Sequence, residues 1–112
     1  MILLDSLTGM VQEAVIFVMD YIQIQFSEAL LTVYSYPKIS KGLDTLNSDD
    51  SNYYKTIISN NGCEVTEVVS NLPNKRIIRF DNGNIVTISL QPEDDDPENY
   101  MLRLRNSHWE VE

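Results

Sequence analysis

Two β-rich regions of this chain repeat one pattern of residues, and the repeat limits the folds open to it. When residues 11–35 are compared with those 54 positions further on, six positions match in character and five of the six are identical. The matched pairs are Val11/Val65, Val15/Val69, Ile24/Ile78, Phe26/Phe80, Leu31/Ile85 and Ser35/Ser89. Two copies are too few for a solenoid. The repeat predicts a duplicated three-stranded meander that closes on itself as a sheet or half-barrel, unless shared β composition alone produces the match.

The first copy has the pattern of three strands. Residues 21–26 alternate apolar and polar side chains, which is the period of a strand with one buried face. We predict strands near residues 11–18, 20–27 and 30–36, ending before Pro37. Residues 38–50 are rich in Ser, Asp, Asn and Gly, which predicts a surface loop.

One short helix, around residues 51–61, is predicted between the two copies. Asp49, Asp50 and Ser51 suit its N-terminus, and Gly62 suits the position just after its C-terminus. Strand-like runs resume at residues 62–70, 75–80 and 84–91, and the chain is predicted to end in a hairpin over residues 100–112.

The loop Asp81–Gly83 sets the register between the last two strands of the second copy. A two-residue turn would place Ile78 opposite Thr87 and mix polarity on both faces. A three-residue loop, with Gly83 in the left-handed region, places Ile78 opposite Val86 and separates apolar from polar residues. We therefore predict the second register, and a core that includes Phe26, Ile78, Phe80, Ile88 and Trp109.

The same polarity argument applies to the C-terminal hairpin. A turn at Asn106 and Ser107 would place Leu104 opposite Trp109, with Arg103 opposite Glu110 on the other face.

Chain length predicts a single domain over residues 1–112, and the strand and helix patterns predict the α+β class: a mostly antiparallel sheet, one short helix and the C-terminal hairpin. Eight Lys and Arg against seventeen Asp and Glu give a net charge of −9, which disfavours nucleic acid and anionic membranes as partners. The single cysteine cannot form an internal disulfide, and the apolar N-terminus lacks the positive region of a signal peptide. We expect a cytoplasmic protein that does not cross a membrane.

The sequence offers little for catalysis or metal binding. His108 is the only histidine, and we expect it on the surface beside a turn. Cys63 is expected to pack as a small hydrophobic residue, because the neighbouring Glu64 would raise the pKa of its thiol. No phosphate-binding loop, nucleophile elbow or zinc-protease motif is present. We therefore expect no enzymatic activity, no cofactor and no metal.

Five carboxylates cluster between residues 92 and 98, and they are the predicted partner-binding residues: Glu93, Asp94, Asp95, Asp96 and Glu98. The run lacks the spacing of an EF-hand, so calcium is not favoured. Either it faces a basic protein partner or it is a solvated loop. If it is only solvated, the next candidates are Asp20, Glu28, Asp44, Asp49 and Asp50.

Several segments of the chain resemble small bacterial proteins that are similar to immunity proteins of toxin–immunity and contact-dependent inhibition systems. The segments are FVMDYIQIQF, the helix with Tyr53 and Tyr54, RFDNGNIVTISL, and Pro97–Glu98. The similarity covers residues 8–98 as a pattern of strand and turn residues, without an active-site motif. It implies a small acidic protein that neutralises a cognate toxin domain, often a basic nuclease, by covering its active site or substrate surface.

Two other functions fit the sequence. The first is a small-molecule-binding or enzymatic half-barrel with an aromatic pocket lined by Tyr21, Tyr34 and Trp109. The second is a structural homo-oligomer, such as a homodimer, because the edge strands of an open sheet can pair across a two-fold axis.

Overall fold

A computed structural model describes residues 3–90, 99–105 and 109–111. The elements within those ranges are, in chain order, the 3₁₀ helix Leu3–Leu7, β1 (Gln12–Phe17), β2 (Ile22–Phe26), β3 (Ala29–Val33), β4 (Lys38–Lys41), β5 (Asp44–Leu46), α1 (Tyr53–Ile58), β6 (Val65–Val69), β7 (Lys75–Phe80), β8 (Ile85–Ser89), β9 (Tyr100–Leu104) and β10 (Trp109–Val111). The six predicted strands of the two copies and the helix between them are confirmed.

The described strands form two five-stranded antiparallel sheets, ordered β1-β2-β3-β9-β10 and β5-β4-β8-β7-β6. Each sheet contains one of the predicted meanders, extended beyond its third strand by a two-stranded hairpin. The predicted α+β class with a mostly antiparallel architecture is confirmed, and the two sheets do not close into a barrel.

The predicted loop over residues 38–50 is wrong for its first part, which forms the hairpin β4–β5. Ile39 is fully buried, lies opposite Leu46 in β5 and pairs with Val86 of β8. Its neighbours are mostly exposed polar residues, and Gly42 turns the chain with a φ of 62°. Because only one residue of β4 is buried, the composition of this segment resembles that of a loop. Its pairing with β8 makes it a strand.

The two meanders are equivalent, but the offset between matching residues changes from strand to strand. Phe26 of β2 and Phe80 of β7 hold the same place, at the offset that the sequence predicted. Phe26 pairs with Gln12 of β1, and Phe80 pairs with Val65 of β6, each beside a β-bulge. The offset in residue number between β1 and β6 is therefore smaller by one than the predicted offset. The connection after the first strand is therefore longer by one residue in the second unit.

The offset between the third strands is longer by one than the predicted value. Ile24 lies opposite Leu31 in the first unit, and Ile78 lies opposite Val86 in the second. The predicted match of Leu31 with Ile85 is therefore wrong by one position. The turn after β2 is shorter than the loop after β7, and both leave the apolar residues on the buried face.

An approximate two-fold axis relates the units and passes between Val11 and Glu64, which form an antiparallel bridge. The amide of Gly9 donates to the carbonyl of the first residue of β6, at 2.8 Å, and the amide of Gly62 donates to the carbonyl of the first residue of β1, at 2.7 Å. The approximate two-fold axis relates these two hydrogen bonds, because their donors differ in residue number by the same offset that relates β1 to β6. The bridge joins the two sheets at these strands.

Each unit gives its last hairpin to the sheet of the other unit. The β4–β5 hairpin follows the first meander but pairs with β8, while β9–β10 follows the second meander and pairs with β3. Each unit also begins with a short helix, the 3₁₀ helix in the first and α1 in the second. The two units are therefore intertwined.

The predicted core and the predicted loop register are confirmed where the structure describes them. Phe26, Ile78, Phe80 and Ile88 are buried, Ile78 lies opposite Val86, and Gly83 has a φ of 89°. The side chain of Trp109 lies outside the described part of the chain.

The predicted register of the C-terminal hairpin is wrong by one residue. Trp109 pairs with Arg103, and Glu110 pairs with Leu102. The Glu110 carboxylate accepts hydrogen bonds from the amides of Leu3 and Leu4, at 2.6 and 3.2 Å. These amides begin the 3₁₀ helix and have no hydrogen-bond partner within it. Their bonds to Glu110 favour the observed register of the hairpin, which the alternation of polar and apolar residues in the two strands does not predict.

Candidate functional site: an aromatic patch with an acidic rim

The partner-binding residues predicted from the sequence, Glu93, Asp94, Asp95, Asp96 and Glu98, lie outside the described residues, as does His108. Their role stays a prediction. The alternative acidic residues Asp20, Asp44, Asp49 and Asp50 are described and exposed, and so is Glu28, which forms an ion pair with Arg105 at 3.4 Å.

Cys63 is half-buried, and its thiol donates a long hydrogen bond of 3.8 Å to the carbonyl of Ser59. Burial raises the pKa of the thiol, and the negative charge of Asp81 raises this pKa further. The acidic neighbour is thus Asp81, from the loop after β7, rather than the predicted Glu64. A thiol with a raised pKa is a poor nucleophile at neutral pH.

The tyrosines predicted to line a pocket are only partly brought together. The rings of Tyr21 and Tyr34 lie 6.4 Å apart with a tilt of 56°. The third predicted member is Trp109, whose side chain is outside the description. A larger aromatic cluster lies elsewhere.

That cluster forms where the end of β1, the segment after β3 and the start of α1 meet. Phe17 ends β1, Tyr36 precedes β4, and Tyr53 and Tyr54 begin α1. The ring centroids of Phe17 and Tyr54 are 4.8 Å apart, edge to face, and those of Tyr53 and Tyr54 are 5.4 Å apart. Phe17 and Tyr36 are closer to parallel, at 6.5 Å and 26°.

Two hydroxyl groups fix the inner part of this cluster. The buried Tyr53 donates to the carbonyl of Pro37 at 2.6 Å, and Tyr36 donates to the carbonyl of Val18 at 2.6 Å. Burial raises the pKa of both hydroxyls, and the neighbouring tyrosines add to the effect. Both side chains are neutral at physiological pH and hold their rings in place.

The outer part of the cluster is open to solvent. Tyr54 is 42% exposed, Ile58 one helical turn later is 44% exposed, and Met19 is 92% exposed. An open pocket of about 390 Å³ lies between Phe17, Val18, Met19, Tyr36, Ser48 and Tyr54. We call Phe17, Met19, Tyr36, Tyr54 and Ile58 the aromatic patch.

Acidic residues are the sequence neighbours of two residues that line the pocket. Asp20 directly follows Met19, and Asp49 directly follows Ser48, so two lining residues each have an exposed acidic neighbour. Asp50 comes next and accepts a hydrogen bond from the amide of Asn47 at 2.7 Å. We call Asp20, Asp49 and Asp50 the acidic rim.

The contact related to Phe17 and Ile58 by the approximate two-fold axis shows that the fold does not require apolar residues at these two positions. The offset in residue number that relates β1 to β6 makes Ser70 the counterpart of Phe17. The same offset makes Asp5 the counterpart of Ile58. There the Ser70 hydroxyl donates to the Asp5 carboxylate at 2.6 Å. Each pair joins one residue from each unit, so the same two fold positions carry a polar pair on one side of the approximate two-fold axis and a half-buried phenylalanine and an exposed isoleucine on the other. Since both solutions fit the backbone, the apolar one points to a binding surface.

Sequence reasoning overlooked the patch because its helix carries two apolar pairs at i, i+4 spacing. Tyr53 and Ile57 form one stripe and are fully buried, whereas Tyr54 and Ile58 form the adjacent stripe and are exposed. A helix of six residues on a sheet buries one narrow face, so a second apolar stripe marks a surface left for something else.

Comparison with protein-family models, curated proteins and solved structures finds no match for this chain. Among the described residues, none of the helices has the length and apolar character needed to cross a membrane. No group of three or more acidic, histidine or cysteine side chains in the same part of the chain is arranged to hold a metal ion. The functional assignment therefore depends on the aromatic patch and its rim.

Proposed function

We propose that this chain is an acidic binding protein that docks its aromatic patch on a basic protein domain. In this proposal it acts as an immunity protein, which neutralises a cognate toxin, for example a basic nuclease, by covering its active or substrate-binding surface. The observation that carries the proposal is the presence of Phe17 and the exposed Ile58 at positions whose counterparts across the approximate two-fold axis, Ser70 and Asp5, form a hydrogen bond.

The composition of the surface supports a protein partner. Binding energy at protein interfaces is concentrated in a few aromatic residues near the centre, surrounded by a polar rim that excludes water. Tyr54 lies among other aromatic rings, and the exposed Asp20 and Asp49 directly follow two of the residues that line its pocket. We propose that Tyr54 anchors the interface.

Charge supports the basic character of the partner. The net charge of −9 attracts a basic domain at long range, and complementary charges at a rim act mainly on the association rate. A toxin that acts on nucleic acid has a basic substrate surface, because phosphate binding requires it. Covering that surface would block the substrate.

The proposal is tested with the protein encoded beside the gene for this chain. We expect that protein to contain a toxic domain, to form a 1:1 complex with this chain in calorimetry, and to lose its toxicity on co-expression. Ile58→Asp should weaken the complex at least 30-fold, because it places a charge in a desolvated apolar contact.

Leu43→Asp is the matched control. Leu43 is also exposed and apolar, but it lies in the turn between β4 and β5, and its replacement should leave the affinity unchanged. The proposal is wrong if the neighbouring gene encodes no toxic domain, or if Ile58→Asp and Leu43→Asp have the same effect. A homodimer formed through the patch would also contradict it, and sedimentation of the free protein would reveal that dimer.

A further inference from the structure

The three rings around the pocket have a specific mutual arrangement. Phe17 and Tyr36 are 26° from parallel with centroids 6.5 Å apart, and Tyr54 stands at 79° to Phe17 and 77° to Tyr36. The centroid of Tyr54 lies 4.8 Å from that of Phe17 and 6.3 Å from that of Tyr36. Phe17 and Tyr36 are therefore a near-parallel pair with Tyr54 perpendicular to both, and all three rings line the same open pocket.

This spacing suits a single cation. A positive charge is attracted to an aromatic face when it lies within about 6 Å of the ring centroid. Because no two of the three centroids are more than 6.5 Å apart, one charge seated over the cluster can meet that condition for every ring. The Tyr36 hydroxyl donates to the carbonyl of Val18, another residue that lines the pocket, and this bond holds the ring in place.

One hydroxyl at the pocket and two carboxylates next to it in sequence offer acceptors for such a charge. Ser48 lines the pocket, and exposed Asp20 and Asp49 follow two of the lining residues. A guanidinium group can stack its flat face on an aromatic ring while its N–H groups, which lie in its plane, donate to carboxylate or hydroxyl oxygens. An ammonium group cannot stack in this way, so the combination of rings and acceptors favours arginine.

We infer that Phe17, Tyr36 and Tyr54 form a seat for one guanidinium group, an arginine side chain presented by the basic partner. The inference rests on the proposed function and makes it more specific, because it names the chemical group that the centre of the aromatic patch recognises. A toxin that binds nucleic acid uses arginine for phosphate recognition, and seating such a residue would remove it from that task.

The inference can be tested on the intact protein without the partner. Blocked arginine amide is titrated into the protein and followed by NMR through the resonances of Phe17, Tyr36 and Tyr54. Blocked citrulline amide is the matched probe, since it has nearly the same shape and no charge, and blocked lysine amide tests an ammonium group. We expect millimolar binding of the arginine probe at these rings, weaker binding of the lysine probe and none of the citrulline probe.

Two substitutions of Tyr54 distinguish the effect of its aromatic ring from the effect of an apolar side chain alone. Tyr54→Phe keeps an aromatic face and should bind the arginine probe within twofold of the natural protein. Tyr54→Leu keeps an apolar side chain and should bind about three- to fivefold more weakly, the effect of one exposed cation–π contact. Urea unfolding of both variants shows that each is folded. Equal binding of arginine and citrulline, or full binding by Tyr54→Leu, would overturn the inference.

The partner distinguishes this inference from the proposed function. If Tyr54→Leu binds the toxin as tightly as the natural protein while Ile58→Asp does not, the aromatic patch is the interface but holds no cation. If the arginine probe binds and both variants leave the toxin complex intact, the seat serves a free cationic ligand. In that case the proposed docking surface is wrong.

Discussion

The rings of Phe26 and Phe80 stack on each other, with centroids 6.5 Å apart and planes 10° from parallel. These residues hold the same place in the two intertwined units, so their contact crosses the approximate two-fold axis. Both are almost completely buried. The cores of the two sheets therefore meet at this pair.

Replacing Phe80 by alanine should lower the free energy of unfolding by about 3–5 kcal/mol, because it removes a large buried ring and leaves a cavity. Equilibrium urea unfolding measures the loss. Leu43→Ala, at an exposed turn, should change the stability by less than about 0.5 kcal/mol. A loss below about 1 kcal/mol for Phe80→Ala would contradict the stacked core.

The strands of the meanders could be predicted because each has one buried face, which gives the sequence a period of two. The alternation of apolar and polar side chains also predicted the pairing of Ile78 with Val86, because the other register would place apolar and polar side chains together on both faces of the sheet. The single offset assumed from the sequence was right only for the middle strands. Each connection within the second meander is longer by one residue, and loop lengths can vary without disturbing the ladders.

Contacts between distant segments decided the elements that sequence patterns missed. The short strand with Ile39 depends on pairing with β8, and the register of Glu110 depends on the amides of Leu3 and Leu4. The aromatic patch was missed for a related reason. An apolar stripe on a helix looks the same in sequence whether the fold buries it, as with Ile57, or exposes it, as with Ile58.

The intertwined arrangement predicts that the chain can be divided between its units. Fragments 1–48 and 49–112 should each be largely unfolded alone, because each meander needs the hairpin of the other fragment to complete its sheet. Mixing them should restore the β-sheet circular dichroism spectrum with a dependence on concentration. A fragment that shows a cooperative thermal transition on its own would contradict this arrangement.

Tyr53 should make the protein less stable in alkali. Burial raises the pKa of its hydroxyl above the ordinary value of 10.0, so the native state retains a proton that the unfolded chain loses above about pH 10. The unfolded state then binds fewer protons, and the free energy of unfolding falls as the pH rises. Below pH 10 this contribution is fully present.

The measurement compares urea unfolding of the natural protein and Tyr53→Phe at pH 8 and pH 10.8, followed by circular dichroism. At pH 8 the variant should be less stable by about 1 kcal/mol, since it loses the hydrogen bond to the carbonyl of Pro37. Its further loss at pH 10.8 should be smaller than that of the natural protein. Equal losses would show that groups other than Tyr53, such as Tyr36, account for the alkaline effect.

The last prediction compares the two acidic surfaces that can face a basic partner. The triple substitution Asp94→Asn, Asp95→Asn and Asp96→Asn should slow association and weaken its dependence on salt, because charges outside an interface core act through long-range attraction. The double substitution Asp20→Asn and Asp49→Asn should slow association and, if these carboxylates accept hydrogen bonds from the arginine seated in the pocket, should also speed dissociation, since each directly follows a residue that lines the pocket.

Surface plasmon resonance at low and moderate salt separates the two effects. Both surfaces are acidic, so a general loss of charge would lower the association rate in proportion to the number of substitutions and leave dissociation alone. Faster dissociation in the rim variant alone would place Asp20 and Asp49 against the bound partner. An association rate and salt dependence unchanged by the triple substitution would show that residues 94–96 are merely solvated, leaving the steering of the partner to the acidic rim. If dissociation is the same in both variants, Asp20 and Asp49 act only through long-range attraction and do not bond to the partner.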